Sequence, residues 1–130
     1  MIFGVGTDIV EIRRVEKQLS STGGIREILF TSREIAYCES KRRSASHFAA
    51  RFAAKEAFMK ALGTGWNKGF RFDEIEIVND GMGKPVVQVH GKVKAFCGER
   101  SINRIHVSLS HSHNLAKAIV LLEGIPSDRP

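Results

Sequence analysis

The chain has 130 residues, of which 42 % are hydrophobic and 26 % are charged. This length suffices for one domain with its own core but not for two ordinary domains, and the composition excludes both a disordered chain and a membrane-spanning one. The net charge of +6 predicts an acidic partner, for which nucleic acid, a nucleotide or an acidic protein would qualify.

The amino terminus and the cysteines indicate the compartment. The first residues lack the basic flank and the sustained apolar segment of a secretion signal. Cys38 and Cys97 show neither metal-ligand nor redox spacing, so we interpret them as small buried side chains. We therefore predict a cytoplasmic protein that does not bind membranes.

The first half of the chain predicts one strand followed by helices. The strand covers residues 2–5 and ends at Gly6, and a helix follows from about Asp8, whose carboxylate is suited to capping it. Thr31 and Glu34 have the spacing of a capping box, which predicts a short second helix through Tyr37. The apolar stripe of the first helix consists of Ile9, Ile12, Val15 and Leu19.

The second half predicts a long helix and several strands, and thus a mixed α+β fold. Alanines and aromatics over residues 46–62 favour a helix that Gly63 ends. Alternating apolar residues predict strands, with one more helix around Val93 and Phe96. The predicted strands cover residues 72–78, 85–89, 105–110 and 115–122, and a flexible tail covers residues 124–130 after a single domain of residues 1–123.

Charged residues and glycines in the long helix are the first candidates for chemistry. Glu56 and Lys60 lie four positions apart, hence on one helical face, where one could hold a cation and the other an anion. A glycine-rich exit, Gly63-Thr64-Gly65, follows. Each feature has a simpler interpretation: Asp8 caps a helix, Glu56 pairs with Lys60 or Lys55, and the glycines only stop the helix. The order of lysine and glycines is not that of a Walker motif.

Histidines near the carboxyl terminus are the second set of candidates. His106, His111 and His113 show no recognised zinc-ligand spacing. In an alternating strand His106 and Ser110 share one face. His111 then falls at the end of the strand, where it either meets a ligand or is simply exposed.

Four blocks in this order resemble holo-acyl-carrier-protein synthase, the small bacterial type of 4'-phosphopantetheinyl transferase. They are residues 4–12, 51–65, 83–85 and 106–111. One departure is Phe72, where the family more often has tryptophan before the acidic strand. The resemblance implies a single small α+β domain with an antiparallel sheet packed against helices, and a homotrimer with active sites between subunits.

The resemblance also implies the reaction. The 4'-phosphopantetheine arm of coenzyme A would pass to a serine of apo acyl carrier protein, leaving adenosine 3',5'-bisphosphate. Asp8 and Glu56 would hold Mg²⁺, and the catalytic residues would be Glu56, Lys60 and Asp8. The proton acceptor for the serine stays open between Glu56 and a metal-bound water. Coenzyme A would contact Arg51, Lys60, Gly63, Thr64, Ser110 and His111.

This hypothesis assigns Arg13 and Arg14 to docking of the carrier protein. An exposed basic helix beside Asp8 would steer an acidic carrier protein. Two alternatives stay open: a small basic nucleic-acid-binding module, which leaves Asp8, Glu56 and Lys60 unexplained, and a noncatalytic homologue. We predict the transferase, with no nucleic-acid partner.

Overall fold

A computed structural model of the chain describes residues 1–21 and 23–125. The first half contains one strand and four helices: β1 (Ile2–Glu11), α1 (Ile12–Ser20), α2 (Ile25–Leu29), α3 (Ser32–Glu39) and α4 (Ser44–Leu62). A 3-10 turn, Phe72–Glu74, introduces the second half. It is followed by β2 (Ile75–Asn79), β3 (Pro85–Val89), α5 (Gly91–Glu99), β4 (Ile102–His111) and β5 (Leu115–Gly124).

The strands form two antiparallel groups. β5 lies between β1 and β4 in a three-stranded sheet, and β2 pairs with β3 in a separate hairpin. One face of the larger sheet packs on α4, where Ala118, Val120 and Leu122 are buried with residues of the helix. The other face of that sheet is exposed. The predicted α+β fold with an antiparallel sheet against helices is confirmed.

Glycines allow β1 and α4 to approach unusually closely. A Cβ atom on Gly6 would lie 1.9 Å from the carbonyl oxygen of Ala57, and one on Gly4 would lie 2.0 Å from that of Ala61. Any larger side chain would therefore push the strand away from the helix. Since alternate strand residues share a face, Asp8 follows Gly4 and Gly6 on the side that faces α4.

Strand pairing overrides the helical pattern that the sequence shows after Gly6. The prediction of a helix capped by Asp8 was wrong, because β1 continues to Glu11 while paired with β5, with Asp8 opposite Ala118. Helix α1 begins only at Ile12. Ile9 consequently points away from the core and is 57 % exposed.

Smaller differences concern the turn before β2 and the carboxyl terminus. The strand predicted from Phe72 begins at Ile75, because residues 72–74 form a 3-10 turn in which the Glu74 N–H donates to the Arg71 carbonyl at 3.1 Å. Helix α2 was not predicted. Gly124 is the last residue of β5, and residues 126–130 of the predicted flexible tail lie outside the described residues.

Two predicted helix ends are confirmed by their hydrogen bonds. Thr31 and Glu34 form the capping box of α3, with reciprocal contacts of 3.2 and 2.9 Å. Gly63 ends α4 in the left-handed conformation, at φ 80°, and its N–H donates to the Met59 carbonyl at 3.1 Å. Among the described residues, no helix is long and apolar enough to cross a membrane.

A buried ion pair joins α3, α4 and β2. Lys55 and Glu34 have fully buried side chains, with 2.9 Å between Nζ and Oε1. Lys55 also donates to the carbonyls of Phe72 and Ile75 at 2.9 and 2.6 Å, while Glu34 Oε2 accepts from the Ile77 N–H at 2.8 Å. Burial lowers the pKa of Lys55, and the adjacent Glu34 charge opposes that effect. The pair thus fixes how α4 is rotated against its neighbours.

We predict that Lys55→Ala strongly destabilises the protein. The substitution leaves the Glu34 carboxylate buried without its cation, which typically costs about 3 to 5 kcal/mol. Chemical denaturation followed by circular dichroism measures the loss. Lys94→Ala, at an exposed position of α5, is the control and should change the free energy of unfolding by less than about 0.5 kcal/mol. Equal effects of the two substitutions would contradict the role given to the ion pair.

Candidate active site

Asp8 and Lys60 meet where β1 crosses α4. Lys60 Nζ lies 2.8 Å from Asp8 Oδ1 and 3.1 Å from the Thr7 carbonyl oxygen, to which it also donates. The Asp8 side chain is 17 % exposed and that of Lys60 57 %. The hydrogen bond to Asp8, and then its charge, raise the pKa of Lys60. The contact therefore holds the Lys60 ammonium at the solvent-exposed edge of the site.

Glu56 lies one turn before Lys60 on the same face of α4 and is half-buried. Burial raises its pKa most, and the negative charge of Asp8 raises it further, whereas Trp66 and Lys60 act in the opposite direction. The two lysines offered by the simpler interpretation have other partners, since Lys55 binds Glu34 and Lys60 binds Asp8. Glu56 is thus close enough to the Asp8 carboxylate for the charge of Asp8 to raise its pKa.

A cavity of about 190 Å³ opens between this helical face and the glycine-rich exit. Gly63 and Gly65 both adopt left-handed backbone conformations, with φ of 80° and 66°, which favour glycine. Thr64 lies between them, and its hydroxyl donates to the Gly65 carbonyl at 3.1 Å. The cavity is lined by Glu56, Met59, Lys60, Gly63, Gly65 and Trp66.

Arg51 and His111 belong to a different group of cationic side chains. The Arg51 guanidinium lies 4.3 Å from the centre of the Tyr37 ring, and one of its nitrogens donates to Asn79 Oδ1 at 2.7 Å. Ring centres are 5.8 Å apart for Tyr37 and His47, and 5.9 Å for His47 and His111. Burial lowers the pKa of His47, and the charges of Arg51, His111 and Lys41 add to this effect.

Arg51 carries a buried hydrogen-bond donor that the described residues leave unsatisfied. Arg51 is only 2 % exposed, and its Nε is a buried donor without a hydrogen-bond partner among the described residues. Unsatisfied buried donors are costly and call for a partner. A ligand oxygen would supply one once the side chains that bury the Arg51 guanidinium move aside.

Ser110 lies at the exposed outer face of the sheet. With Ile9, His111 and Lys117 it lines a cavity of about 310 Å³. His106, which shares this strand, pairs with Glu123 at 2.6 Å between Nε2 and Oε1, and this contact lowers the pKa of Glu123. His106 therefore has a protein partner, while Ser110 and His111 border open space.

The two arginines predicted for docking are exposed on α1. Arg14, but not Arg13, lines a largely apolar groove of about 430 Å³. Phe52, one turn before Glu56 on α4, lies at the wall of this groove. The other lining residues are Ile9, Val10, Glu11, Val15, Gln18 and Leu115. The groove thus connects the basic helix with the helix that carries Glu56.

The structure divides the predicted site residues into separate groups. It brings Asp8, Glu56, Lys60 and Gly63 together and joins Arg51 to His111 elsewhere. Sequence reasoning missed Tyr37, His47 and Trp66, which complete these groups. His47 stands four residues before Arg51, a spacing that was available as a signal, and Trp66 directly follows the second glycine of the exit.

Asp8 and Glu56 have the donor set that a hard divalent cation requires. Mg²⁺ prefers oxygen ligands and commonly combines one or two carboxylates with substrate phosphates and waters. The Asp8 charge raises the pKa of Glu56, as expected for like charges near each other, and a bound cation would relieve their repulsion. The residues present therefore fit magnesium.

Comparison with known proteins gives the class of this fold and site. Residues 4–120 match the model of the 4'-phosphopantetheinyl transferase superfamily. The chain belongs to this superfamily, which confirms the resemblance carried by the four sequence blocks.

Individual relatives and solved structures show which members of the superfamily this chain is similar to. The chain is 48 % identical over 125 residues to holo-[acyl-carrier-protein] synthase of Geobacter sulfurreducens, covering 95 % of this chain and 98 % of the relative. It is also similar to the synthase of Bacillus anthracis in complex with coenzyme A (3',5'-ADP), with 37 % identity, a TM-score of 0.80 and coverage of 96 % and 99 %. The synthase of Neisseria meningitidis has 33 % identity, a TM-score of 0.86 and coverage of 95 % and 99 %.

Proposed function

We propose that the protein transfers the 4'-phosphopantetheine arm of coenzyme A to a serine hydroxyl of apo acyl carrier protein. The shared name of its relatives and the coenzyme A complex of the Bacillus anthracis protein support this activity. The observation that carries it in this chain is the contact between Asp8 and Lys60 beside Glu56, at 2.8 Å. Glu56 and Lys60 line one cavity, and Asp8 contacts the Lys60 ammonium at its edge, a combination of two carboxylates and an ammonium that suits a phosphorylated substrate with a divalent cation.

In the reaction, the serine hydroxyl gives its proton to a general base and its oxygen bonds to the phosphorus next to pantetheine, while the bond from that phosphorus to the bridging pyrophosphate oxygen breaks. Adenosine 3',5'-bisphosphate leaves. Asp8 and Glu56 would hold magnesium, which supplies charge neutralisation of the pyrophosphate and of the leaving group. Lys60 is fixed by Asp8 at the mouth of the cavity, where its ammonium can donate to a phosphate oxygen.

Coenzyme A would extend over both groups of site residues. Lys60 and Gly63 line the cavity, and Thr64 follows Gly63 in the exit, whose exposed backbone would allow a phosphate to come close. Arg51 and His111 belong to the cationic group, which suits the anionic nucleotide end. Ser110 borders the same open space as His111.

The groove beside α1 is the proposed docking place for the carrier protein. Arg14 stands at its rim, Arg13 is exposed on the same helix, and the groove leads towards Phe52 on α4. Acyl carrier proteins are acidic, so complementary charge would steer the partner and orient its serine. The apolar residues that α1 and α4 contribute to the groove, Val15 and Phe52, would then receive side chains of the docked partner.

We further propose that the protein is a homotrimer. The outer sheet face exposes several large apolar side chains next to one another. Monomeric soluble proteins rarely expose such contiguous apolar patches. These side chains include Phe3, Val5, Ile9, Leu115 and Ile119, which are between 40 % and 57 % exposed. Covering this face with further copies would bury these residues and leave the α4 face of the sheet unchanged.

The direct test is transfer itself. The protein is incubated with coenzyme A, Mg²⁺ and apo acyl carrier protein, and mass spectrometry follows the carrier. We expect addition of one phosphopantetheine arm, with none when Mg²⁺ is chelated. An unmodified carrier would identify a noncatalytic homologue and overturn the proposal.

Variants of the three charged residues separate metal binding from catalysis. Asp8→Ala and Glu56→Ala should each abolish most turnover and weaken Mg²⁺ binding, because each removes an oxygen ligand. Lys60→Ala should keep the metal and lower turnover on the order of 10²-fold, because it removes an electrostatic donor to the transition state. Isothermal titration of Mg²⁺ in the presence of coenzyme A gives the affinities.

Lys94→Ala, at an exposed position of α5, is the control for that series. Undiminished Mg²⁺ affinity in both carboxylate variants would refute the metal site. Turnover of Lys60→Ala within about threefold of the parent would reduce Lys60 to a surface ion-pair partner, whose contribution is small.

Charge reversal on α1 tests the docking groove. Arg14→Glu, and more strongly the double variant with Arg13→Glu, should raise the KM for the carrier and flatten its salt dependence, since rim charges act on association. Coenzyme A affinity should stay unchanged. Lys94→Glu makes the same charge change on α5 and should behave as the parent. A salt series that is identical for all variants would move docking to another surface.

Sedimentation velocity tests the trimer. We expect the parent to sediment at three times the chain mass of 14.4 kDa. Ile119→Asp puts a charge into the exposed apolar face and should release single chains that remain folded. Ile28→Asp, on α2, changes a similarly exposed isoleucine, at 60 %, and should remain a trimer. A parent that sediments as single chains would contradict the assembly.

A further inference from the structure

Asn79 is the last residue of β2 and begins the turn that joins β2 to β3. It is half-buried and has no role in the function described so far. Both ends of its side-chain amide form hydrogen bonds. Oδ1 accepts from a terminal nitrogen of Arg51 at 2.7 Å, and Nδ2 donates to the Gly83 carbonyl at 3.0 Å. Asn79 thus connects the turn to the long helix α4.

The turn determines which end of the Asn79 amide faces Arg51. Asp80 Oδ1 accepts from the N–H groups of two later turn residues, both at 2.9 Å, and the Asp80 carbonyl accepts from the Gly83 N–H at 2.9 Å. This network holds the Gly83 carbonyl in place, and a carbonyl can bond only to a donor. Nδ2 therefore points to the turn and Oδ1 to the guanidinium, which has donors but no acceptor.

Two contacts orient the Arg51 guanidinium. The group is planar and rigid. Its central carbon lies 4.3 Å from the centre of the Tyr37 ring, and Asn79 holds one terminal nitrogen. Because these contacts restrict rotation of the whole group, they also set the direction of Nε, the buried donor that has no partner among the described residues.

The neutral Asn79 amide holds Arg51 without cancelling its charge. In the described part of the chain, no carboxylate forms an ion pair with Arg51. Arg33 of α3 is different, because the Glu76 carboxylate lies 2.6 Å from one of its nitrogens and balances its charge. Arg51 therefore keeps both a positive charge and a free donor, which together suit a phosphate oxygen.

We propose that Asn79 is a positioning residue for coenzyme A: it aims the Arg51 guanidinium at the anionic nucleotide end and leaves the positive charge available. This inference rests on the proposed function, in which Arg51 contacts that end of coenzyme A. Asn79 acts through Arg51 and is not a catalytic residue. The turn between β2 and β3 contributes indirectly, because it holds the amide that holds the guanidinium.

Two substitutions of Asn79 test this role. Asn79→Leu has the same branched shape but no acceptor, and we expect it to weaken binding of adenosine 3',5'-bisphosphate about tenfold, as for loss of one hydrogen bond to a charged group. Asn79→Asp keeps an acceptor for Arg51 but neutralises its charge, so it should weaken binding at least as much. The KM for coenzyme A should rise in both variants while kcat stays within about twofold. Calorimetry with the bisphosphate is the readout that does not depend on activity.

A double-mutant cycle separates aiming of Arg51 from anchoring of the turn, because both Asn79 variants also lose the contact with Gly83. In an Arg51→Met background, which has no guanidinium to aim, Asn79→Leu should cause no further loss of affinity. An equal loss with and without the guanidinium would show that Asn79 only anchors the turn, and would overturn the inference.

Gln88→Glu is the matched control for charge. It makes the same change from amide to carboxylate on β3, beside an Arg33 nitrogen that donates to Gln88 Oε1 at 2.8 Å. It should bind the bisphosphate within about twofold of the parent. If Gln88→Glu weakens binding as much as Asn79→Asp, the effect is a general one of added negative charge, and the specific role of Asn79 is overturned.

The transfer reaction separates this inference from the proposed function. If the parent modifies apo acyl carrier protein while both Asn79 variants bind the bisphosphate as tightly as the parent, only the positioning role is overturned. A parent that neither binds coenzyme A nor modifies the carrier overturns the proposed function and, with it, this inference.

Discussion

The site depends on the close approach of β1 and α4. Gly4 and Gly6 let the strand backbone touch the helix backbone at Ala57 and Ala61, where a Cβ atom would lie about 2 Å from a carbonyl oxygen. This contact leaves no room for side chains between the two elements. The next inward residue of the strand, Asp8, therefore lies against the last turns of the helix, within 2.8 Å of Lys60.

Neighbouring residues of helix α4 have different roles: one stabilises the fold and the next lines the proposed site. Successive residues on a helix point about 100° apart, so Lys55 faces the core and binds Glu34, while Glu56 faces the cavity. Phe52, one turn before Glu56, lies on the wall of the docking groove. The buried ion pair fixes the rotation of the helix, and Glu56 and Lys60 are aimed as a result.

A single chain presents its proposed coenzyme-binding groups at two places. Asp8, Glu56 and Lys60 meet beside the glycine exit, whereas Arg51 and His111 are joined through Tyr37 and His47. The exposed apolar sheet face adjoins both places, since Ile9 follows Asp8 directly on β1 and lines the cavity of Ser110 and His111. The proposed trimer and the proposed coenzyme site are therefore connected, because copies that cover this face also border the cavity of Ser110 and His111.

The sequence by itself determined the long helix, its end at Gly63, the capping box at Thr31 and the four blocks that carry the family resemblance. These features depend on local preferences or on residue identity, which are legible without a fold. Only the tertiary structure decided that Asp8 belongs to a strand, because pairing with β5 outweighs a helical pattern that begins at Ile9. It also decided the partners of Lys60, Lys55 and Trp66. Those partners are Asp8, Glu34 and Phe72, and since each lies in another element, packing between distant segments brings them together.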